Sequence, residues 1–320
     1  MWNPIEAYRI YRGLAAKGIL GMNCRNADFI GPYNKRHLYP LVDDKLKTKE
    51  LALKANVNVP QLLGVIREQH DIATVSDLLP PSEGFCIKPA QGSGGKGILV
   101  VFPGENGGWQ RTDGRPVTLP EIERHLSNIL AGIFSLGGKS DVAIVESLII
   151  LDPVFNGFTH EGVPDLRIII FRGFPVMAMM RLACHASKGK ANLHQGAVGV
   201  GIDIITGQAV NAVQYGQPVT HHPDTQFRLK DLQVPQWPEM LELACRCYDM
   251  TGLGYIGVDI VLDKNRGPLL LELNARPGLA IQVANNAGLL PRLRIAEELD
   301  NSGSPSERIA LISKTFTGHL

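Results

Sequence analysis

Short apolar runs separated by clusters of Gly, Pro, Asn and Asp dominate this chain, and two periodicities can be read from them. Alternation and β-branched residues predict strands at 62–67, 85–89 and 98–102, then at 142–147, 166–171, 176–182, 197–205 and 210–213. Helical spacing predicts helices at 44–55, 74–79, 120–136 and 238–250, with two more at 279–287 and 305–315. Thr118 is the expected cap of 120–136 and Gly137-Gly138 its stop. At the front, Ile5, Tyr8 and Ala15 repeat with helical spacing behind an Asn3 cap and Pro4 in the first turn. That helix carries Arg9, Arg12 and Lys17 and is expected to pack on the body of the protein, with a membrane contact as the alternative. Residues 23–44 are polar and turn-rich, and 104–114 reads as an exposed insertion. Strands and helices segregate into two lobes, which argues for an α+β architecture.

The final strand pair departs from the ordinary pattern. Two apolar runs, 255–263 and 268–274, flank a turn-rich tetrapeptide at 264–267. With that tetrapeptide as the loop, Asp263 pairs with Pro268 and Asp259 faces Glu272. Period two then places Asn274 on the same face. Facing residues lie with Cβ atoms roughly 5 Å apart, where like charges repel. Two carboxylates among Val, Ile and Leu therefore call for a cation between them. Carboxylate and amide oxygens together suit Mg²⁺. The plainer alternative, acids that meet solvent or cap a turn, fits Asp263 but not Asp259 and Glu272. A one-residue slip would put the two on opposite faces.

Bulk numbers narrow the class. A chain of 320 residues exceeds the usual size of one domain. Its 44% hydrophobic and 20% charged residues are ordinary for a globular protein. A net charge of +1 offers no global field for nucleic acid or an anionic membrane. The cysteines Cys24, Cys86, Cys184, Cys245 and Cys247 are odd in number, scattered, and without zinc spacing, which fits free thiols in a reducing, cytoplasmic compartment. No apolar run approaches the ~18–20 residues of a membrane span. The first residues lack the apolar core of a signal peptide.

Residues 87–98 hold the second signal. Gly92, Gly94 and Gly97 match a G-x-G-x-x-G spacing, but a strand follows where a dinucleotide site needs a helix. A P-loop fails too, because Gly97 follows Lys96 where Ser or Thr belongs. What remains is a strand, a glycine flap and a strand, able to close over a triphosphate. Lys88 on the entering strand could hold phosphate oxygens as a point charge. A flexible surface hairpin with a snorkelling lysine is the alternative. Further on, a three-residue loop at 173–175 would set Arg167 opposite Arg181, two guanidinium groups that need an anion between them or else face solvent. Residues 188–201 form a polar, glycine-rich loop able to cover a site. His194 within it could be catalytic, and His221 with His222 chelate poorly.

In order along the chain stand Lys88, the glycine flap, Glu146, Asp165-x-Arg167, Arg181, Asn192-Leu-His, Asp259 and Glu272-x-Asn274. This ordered set resembles the ATP-grasp superfamily, over roughly residues 44–293. Within it the chain looks like the α-L-glutamate ligase-like branch, related to the ligase that adds glutamate to a ribosomal protein, and its stretch from His222 onward looks like sugar-transfer-associated ATP-grasp proteins. The resemblance implies an ATP-grasp fold of two α+β lobes gripping ATP. The lobes would span 45–138, with the flap, and 139–320, with the metal site, while a short segment 1–44 replaces the usual preceding domain. It implies that Lys45, Lys88, Gly92, Ser93, Gly94 and Gly95 meet ATP phosphates. Glu146, Ser147 and Leu148 would form the adenine hinge, with Asp152 a weaker candidate for the ribose, and Asp165 and Asn192 would also face the nucleotide. Asp259, Glu272 and Asn274 match magnesium ligands; Arg167, Arg181 and Arg276 match positions near the γ-phosphate or acyl group.

The chemistry so implied is an ATP-dependent carboxylate–amine ligation through an acyl phosphate, with two Mg²⁺ ions for which Mn²⁺ can substitute. Its partners would be small-molecule or peptide carboxylates and amines, with no nucleic acid and no membrane span, and a homo-oligomer stays open. The rival readings are an ATP-grasp small-molecule kinase and a non-catalytic nucleotide-binding regulatory protein.

Overall fold

The computed structural model describes residues 3–92, 94–104 and 107–319. Two compact units form: a smaller one of Asp43–Leu53 with Val59–Ile150, and a larger one of Met1–Val42, Lys54–Asn58 and Leu151–Leu320.

The smaller unit is built on β1 (Leu62–Ile66), β2 (Phe85–Pro89), β3 (Leu99–Pro103), β4 (Trp109–Gln110), β5 (Pro116–Val117) and β6 (Ala143–Ser147), antiparallel in the order β1-β6-β2-β3-β4-β5. Because β6 lies between β1 and β2, this unit runs on to Ile150, past the division expected at 138. Phe85, Ile87, Ala143 and Val145 share a core with Ile122, Leu126 and Ile129 of the helix Leu119–Leu130. The intervening positions, Cys86, Lys88, Ile144 and Glu146, therefore belong to the other face. There Ile144 and Ala90 pack with Leu46 of the helix Lys45–Lys54. Asp44 caps that helix, accepting from the amides of Leu46 and Lys47 at 3.0 and 3.2 Å.

Three local expectations change here. The helix behind Thr118 stops at Leu130 instead of 136, because Gly132 turns at φ +77° and passes so close to Lys139 that a Cβ would lie 2.2 Å from its carbonyl oxygen. The helix expected at 74–79 is a 3-10 stretch, Gln69–Asp77, held by a Glu68–Asp71 capping box. The insertion expected at 104–114 is largely exposed among its described residues, but it carries the short strand β4, which pairs with β5 just beyond it. Trp109 stands edge-on to Phe85 at 5.4 Å and donates to Pro80 O at 3.0 Å.

The larger unit carries β7 (Asp165–Phe171), β8 (Phe174–Leu182), β9 (Val198–Ile202), β10 (Ala209–Gln214), β11 (Gln217–Pro218), β12 (Tyr255–Asp263) and β13 (Gly267–Asn274), antiparallel in the order β11-β10-β9-β8-β7-β12-β13. Every residue of β12 is buried, and nearly all of β7 and β8, as expected of a sheet covered on both faces. Trp237–Thr251, Ala280–Asn285, Leu290–Glu298 and Pro305–His319 supply helices. Leu290–Glu298 escaped the pattern because only Leu293 and Ala296 bury. The polar stretch 23–44 turns out to feed the core. Phe29 is fully buried, edge-on to Phe171 at 5.4 Å, and Asn34 bonds both backbone groups of Tyr255. The first helix, Pro4–Ala16, keeps its Asn3 cap but does not pack on the body as expected: Ile5, Tyr8, Ile10, Tyr11 and Leu14 are all exposed. At 100° per residue these side chains spread over more than half the circumference, which leaves no narrow face to bury.

Two hairpins set the site. Between β7 and β8 the turn is Arg172-Gly173, both at positive φ, a two-residue connection rather than the expected three. With a bulge at Ile169/Ile170, Arg181 pairs with Asp165 and Arg167 with Met179. The expected Arg167–Arg181 pairing is therefore displaced by two residues, a shift that preserves the face. Between β12 and β13, Asp263 pairs with Gly267 instead of Pro268. A bulge between Asp259 and Ile260 absorbs the difference, and Asp259 still faces Glu272. All five cysteines are free thiols. Among the described residues no helix is long and apolar enough to cross a membrane.

Candidate functional site

In the smaller unit the flap's flanking strand and the helix Lys45–Lys54 converge on one carboxylate. Lys88 Nζ lies 2.7 Å from Glu146 Oε2, and Lys49 Nζ lies 2.7 Å from Oε1. All three side chains are almost fully buried, and Lys49 also donates to Pro60 O. Burial raises the Glu146 carboxyl, but Lys88 and then Lys49 overcome it and hold the group below its ordinary range. The sequence reading missed Lys49. Its signal was the i, i+4 spacing from Lys45, with Leu46 between them pointing inward. Lys45 itself donates from Nζ to Gly92 O at 2.7 Å, and its amide bonds Ala90 O at 2.9 Å.

The flap has an anchored base. Asp141, also missed, accepts from Gln91 N and from Ser135 Oγ at 2.5 Å, and Gly92 bridges to Ser135. Gly94 and Gly95 sit at φ +63° and +73° with open space where a Cβ would be, so backbone conformation alone demands glycine there. Gly97 lies against the Phe134 ring. Ser93 lies outside the described residues. At the expected hinge, Ser147 N donates to Gln61 O at 2.9 Å and Leu148 N to Gly84 O at 3.2 Å. The Ser147 hydroxyl is buried without a hydrogen-bond partner among the described residues. Asp152 caps a short turn by accepting from Val154 N.

In the larger unit, one face of β7, β8 and β12 gathers four ionic groups. Asp259 accepts from Arg167 Nε at 2.7 Å on one oxygen and from Arg167 Nη2 at 2.5 Å on the other. Arg181 Nη2 reaches the second oxygen at 2.8 Å and also bonds Asp165. Asn274 Nδ2 lies 3.3 Å from Asp259 Oδ2, and Glu272 stands opposite Asp259 in the hairpin. The two electrostatic anomalies of the sequence thus answer one another. The cation beside Asp259 is a pair of guanidinium groups, and the anion between the arginines is Asp259. Burial pushes the Asp259 carboxyl up, but Arg167 and Arg181 outweigh it and bring the group down to about 2. Asp165 behaves oppposite: burial raises it to about 6 against the pull of Arg181, and the Asp259 charge adds to the rise. Asp165 Oδ1 has no hydrogen-bond partner among the described residues.

Two further expected residues have other partners. Arg276 is exposed, its guanidinium 5.2 Å from the centroid of the Tyr39 ring. Asn192 caps a single turn by accepting from His194 N at 3.0 Å. Asp263 caps its own turn, accepting from the amides of Asn265 and Arg266. Among the described residues no three His, Cys, Asp or Glu side chains are grouped to hold a metal. A divalent ion in this unit therefore depends on the mixed set Asp259, Glu272 and Asn274. Its oxygen donors suit Mg²⁺, and an ion on Asp259 would take the place of a guanidinium.

A family model described as sugar-transfer associated ATP-grasp matches residues 24–298. A "probable alpha-L-glutamate ligase" of Pseudomonas putida is 24% identical over 268 residues, covering 82% of this chain and 65% of its own length. One from Stutzerimonas stutzeri is 24% identical over 262 residues, covering 82% and 64%. The chain thus spans about 65% of the length of the curated relatives it matches. Among solved structures, D-cycloserine synthetase DcsG aligns with a TM-score of 0.48 at 14% identity, over 84% of this chain and 74% of that one. The ATP-grasp ligase PsnB, complexed with a phosphomimetic variant of its minimal precursor, Mg and ADP, aligns with a TM-score of 0.46 at 15% identity, over 82% and 59%. With the family match covering most of its length, the chain belongs to the sugar-transfer associated ATP-grasp family and has the α+β ATP-grasp fold.

Proposed function

We propose that the protein is an ATP- and Mg²⁺-dependent ligase that joins a carboxylate to an amine through an acyl phosphate. The observation that carries this reading is the buried cluster of Asp165, Arg167, Arg181 and Asp259, with Asn274 on it and Glu272 facing it. Such a cluster sets guanidinium forks, which suit phosphoryl oxygens, beside hard oxygen donors. In the first step a donor carboxylate oxygen attacks the γ-phosphorus. The bond to the bridging oxygen breaks, ADP leaves, and the donor becomes an acyl phosphate. In the second step the amine nitrogen attacks the acyl carbon, phosphate leaves, the nitrogen loses a proton, and an amide remains.

Phosphoryl transfer of this kind rests on positioning and charge neutralisation, and it needs no nucleophilic side chain. Arg167 and Arg181 are assigned the charge that builds on the transferring phosphoryl group and on the tetrahedral acyl oxygen, with Arg276 a third candidate. Lys88 and Lys45 are assigned to nucleotide phosphates, with Gly92, Gly94 and Gly95 covering them, and Glu146 fixes the position of Lys88. Ser147 and Leu148 are assigned to the base, and Asp165 and Asn192 to the nucleotide more generally. Asp259, Glu272 and Asn274 would hold Mg²⁺, which when bound neutralises β- and γ-phosphate charge. The names of the curated relatives support glutamate as one substrate.

The test is incubation with ATP, Mg²⁺ and pooled amino acids, followed by measurement of ADP, free phosphate and new masses. Free phosphate with an amide mass is expected. A phosphorylated product without free phosphate would make the protein a kinase. Tight ATP binding without either product would make it a binding protein.

A further inference from the structure

We propose that the Asp259–arginine cluster is a latch whose partners are exchanged on binding, so that metal and triphosphate each bind weakly without the other. This inference rests on the functional reading above and concerns how that same site is loaded. Asp259 is 2% exposed, and both of its oxygens are engaged: Arg167 holds the two in a fork at 2.7 and 2.5 Å, and Arg181 adds a contact at 2.8 Å. A cation approaching Asp259 alone meets two guanidinium charges already there. An anion approaching Arg167 and Arg181 alone meets the Asp259 charge, which already takes Arg167 Nε and Nη2 and Arg181 Nη2, while Arg181 Nε has no hydrogen-bond partner among the described residues. To take the engaged donors or the Asp259 oxygens, either ligand by itself must break a buried, charge-assisted contact and leave the displaced group without that partner, which is the costly half of such a rearrangement.

A metal-bound triphosphate removes that cost on both sides. Its phosphoryl oxygens take the guanidinium donors while its metal takes the carboxylate, so every buried charge keeps a counter-ion throughout. The coupling is reciprocal by linkage: whatever factor the metal adds to triphosphate affinity, the triphosphate adds to metal affinity. Asn274 sits within 3.3 Å of the same Asp259 oxygen and Glu272 lies across the hairpin, so oxygen donors already flank the group that the arginines would release.

The latch makes a prediction of unusual sign. Asp259→Asn removes the carboxylate that competes for the arginines, so this variant is expected to bind inorganic tripolyphosphate in EDTA about tenfold more tightly than the wild type, the equivalent of one charge-assisted hydrogen bond. In the same variant Mg²⁺ is expected to add little to that affinity. Arg167→Gln gives the reciprocal arm: Mn²⁺ without nucleotide, followed by electron paramagnetic resonance, is expected to bind about tenfold more tightly than to the wild type. Circular dichroism checks that both variants fold, and the wild type tests the coupling without any substitution. Its tripolyphosphate affinity, measured by calorimetry, is expected to rise at least tenfold when Mg²⁺ replaces EDTA. Equal metal-free affinity in the wild type and Asp259→Asn overturns the latch. If Asp259→Asn loses ligase turnover while the affinities stay equal, the functional reading stands and the latch alone falls. If Asp259→Asn keeps both its turnover and its Mg²⁺-dependence, Asp259 does not exchange partners and the metal assignment falls with the latch.

Discussion

Each unit of this protein buries one carboxylate between two cations, and the two arrangements differ in a way that bears on what each can hold. In the smaller unit Glu146 sits between Lys49 and Lys88. Two ammonium groups against one carboxylate leave a formal charge of +1 on the triad. In the larger unit Arg167 and Arg181 meet Asp165 and Asp259, two charges of each sign, with Glu272 across the hairpin from Asp259. Lysine is a compact point charge on a flexible stem, suited to an anion of variable position, while the planar guanidinium fixes direction through paired donors. The first arrangement suits a nucleotide phosphate. The second, with its carboxylates, suits a transferring phosphoryl group accompanied by a metal.

The largest expected effect falls on the larger unit. Asp259→Asn and Glu272→Gln are expected to lower turnover by roughly 10²–10³-fold, the loss seen when one group stabilising transition-state charge is removed. An ADP-release assay reads it, and unchanged turnover would sink the metal assignment. Next comes the buried carboxylate of the smaller unit. Glu146→Leu leaves two ammonium groups buried without it and is expected to cost about 3–5 kcal/mol in urea unfolding. Lys49→Met keeps the Lys88–Glu146 pair and is expected to cost less. Equal losses would mean that the Lys88–Glu146 pair does not hold without Lys49.

A pH series sharpens the comparison further. The Asp165 carboxyl is raised to about 6, so its stabilising contribution is present below 3.8 and lost as pH rises through about 6. Asp259, lowered to about 2, runs the other way: its contribution is present above 3.8 and lost as pH falls through about 2. Glu146, also lowered, follows the sign of Asp259. Asp165→Asn is therefore expected to remove a decline in wild-type stability between pH 4 and 6, measured by urea midpoints across that range. An unchanged profile would assign the decline elsewhere. The smallest expected change is at Arg276, exposed over Tyr39: Arg276→Ala is expected to cost about 0.5–1 kcal/mol of stability, the size of an exposed cation–π contact. A loss of turnover far exceeding that would place Arg276 at the reacting groups.

Much of this was legible along the chain. Asp259 and Glu272 stood out because carboxylates among Val, Ile and Leu on facing strands are costly, and strand alternation is a local property. Their pairing was nevertheless reached through an incorrect loop. The turn is one residue shorter than expected, and the bulge between Asp259 and Ile260 restores the register. No residue type announced that bulge. Arg167 and Arg181 were recognised as a pair that either holds an anion or faces solvent, but the Arg172-Gly173 turn and a second bulge moved Arg181 opposite Asp165. Lys49 went unnoticed because its partner Glu146 lies 97 residues away, on a strand that only the sheet order brings next to β2.

By itself the sequence determined the two-unit α+β character, the glycine flap and the family, because apolar periodicity, turn chemistry and the order of polar residues are written locally. It also determined that Arg167 and Arg181 share a face and that Asp259, Glu272 and Asn274 share one, since a two-residue shift of register leaves a side chain on the same face. Only the tertiary structure decided which counter-ion each buried carboxylate has: two guanidinium groups for Asp259, two ammonium groups for Glu146. The reason is physical. Bulges, strand order and the seating of the helix Lys45–Lys54 are settled by packing over the whole unit, and a buried charge takes whichever opposite charge that packing brings within hydrogen-bonding distance.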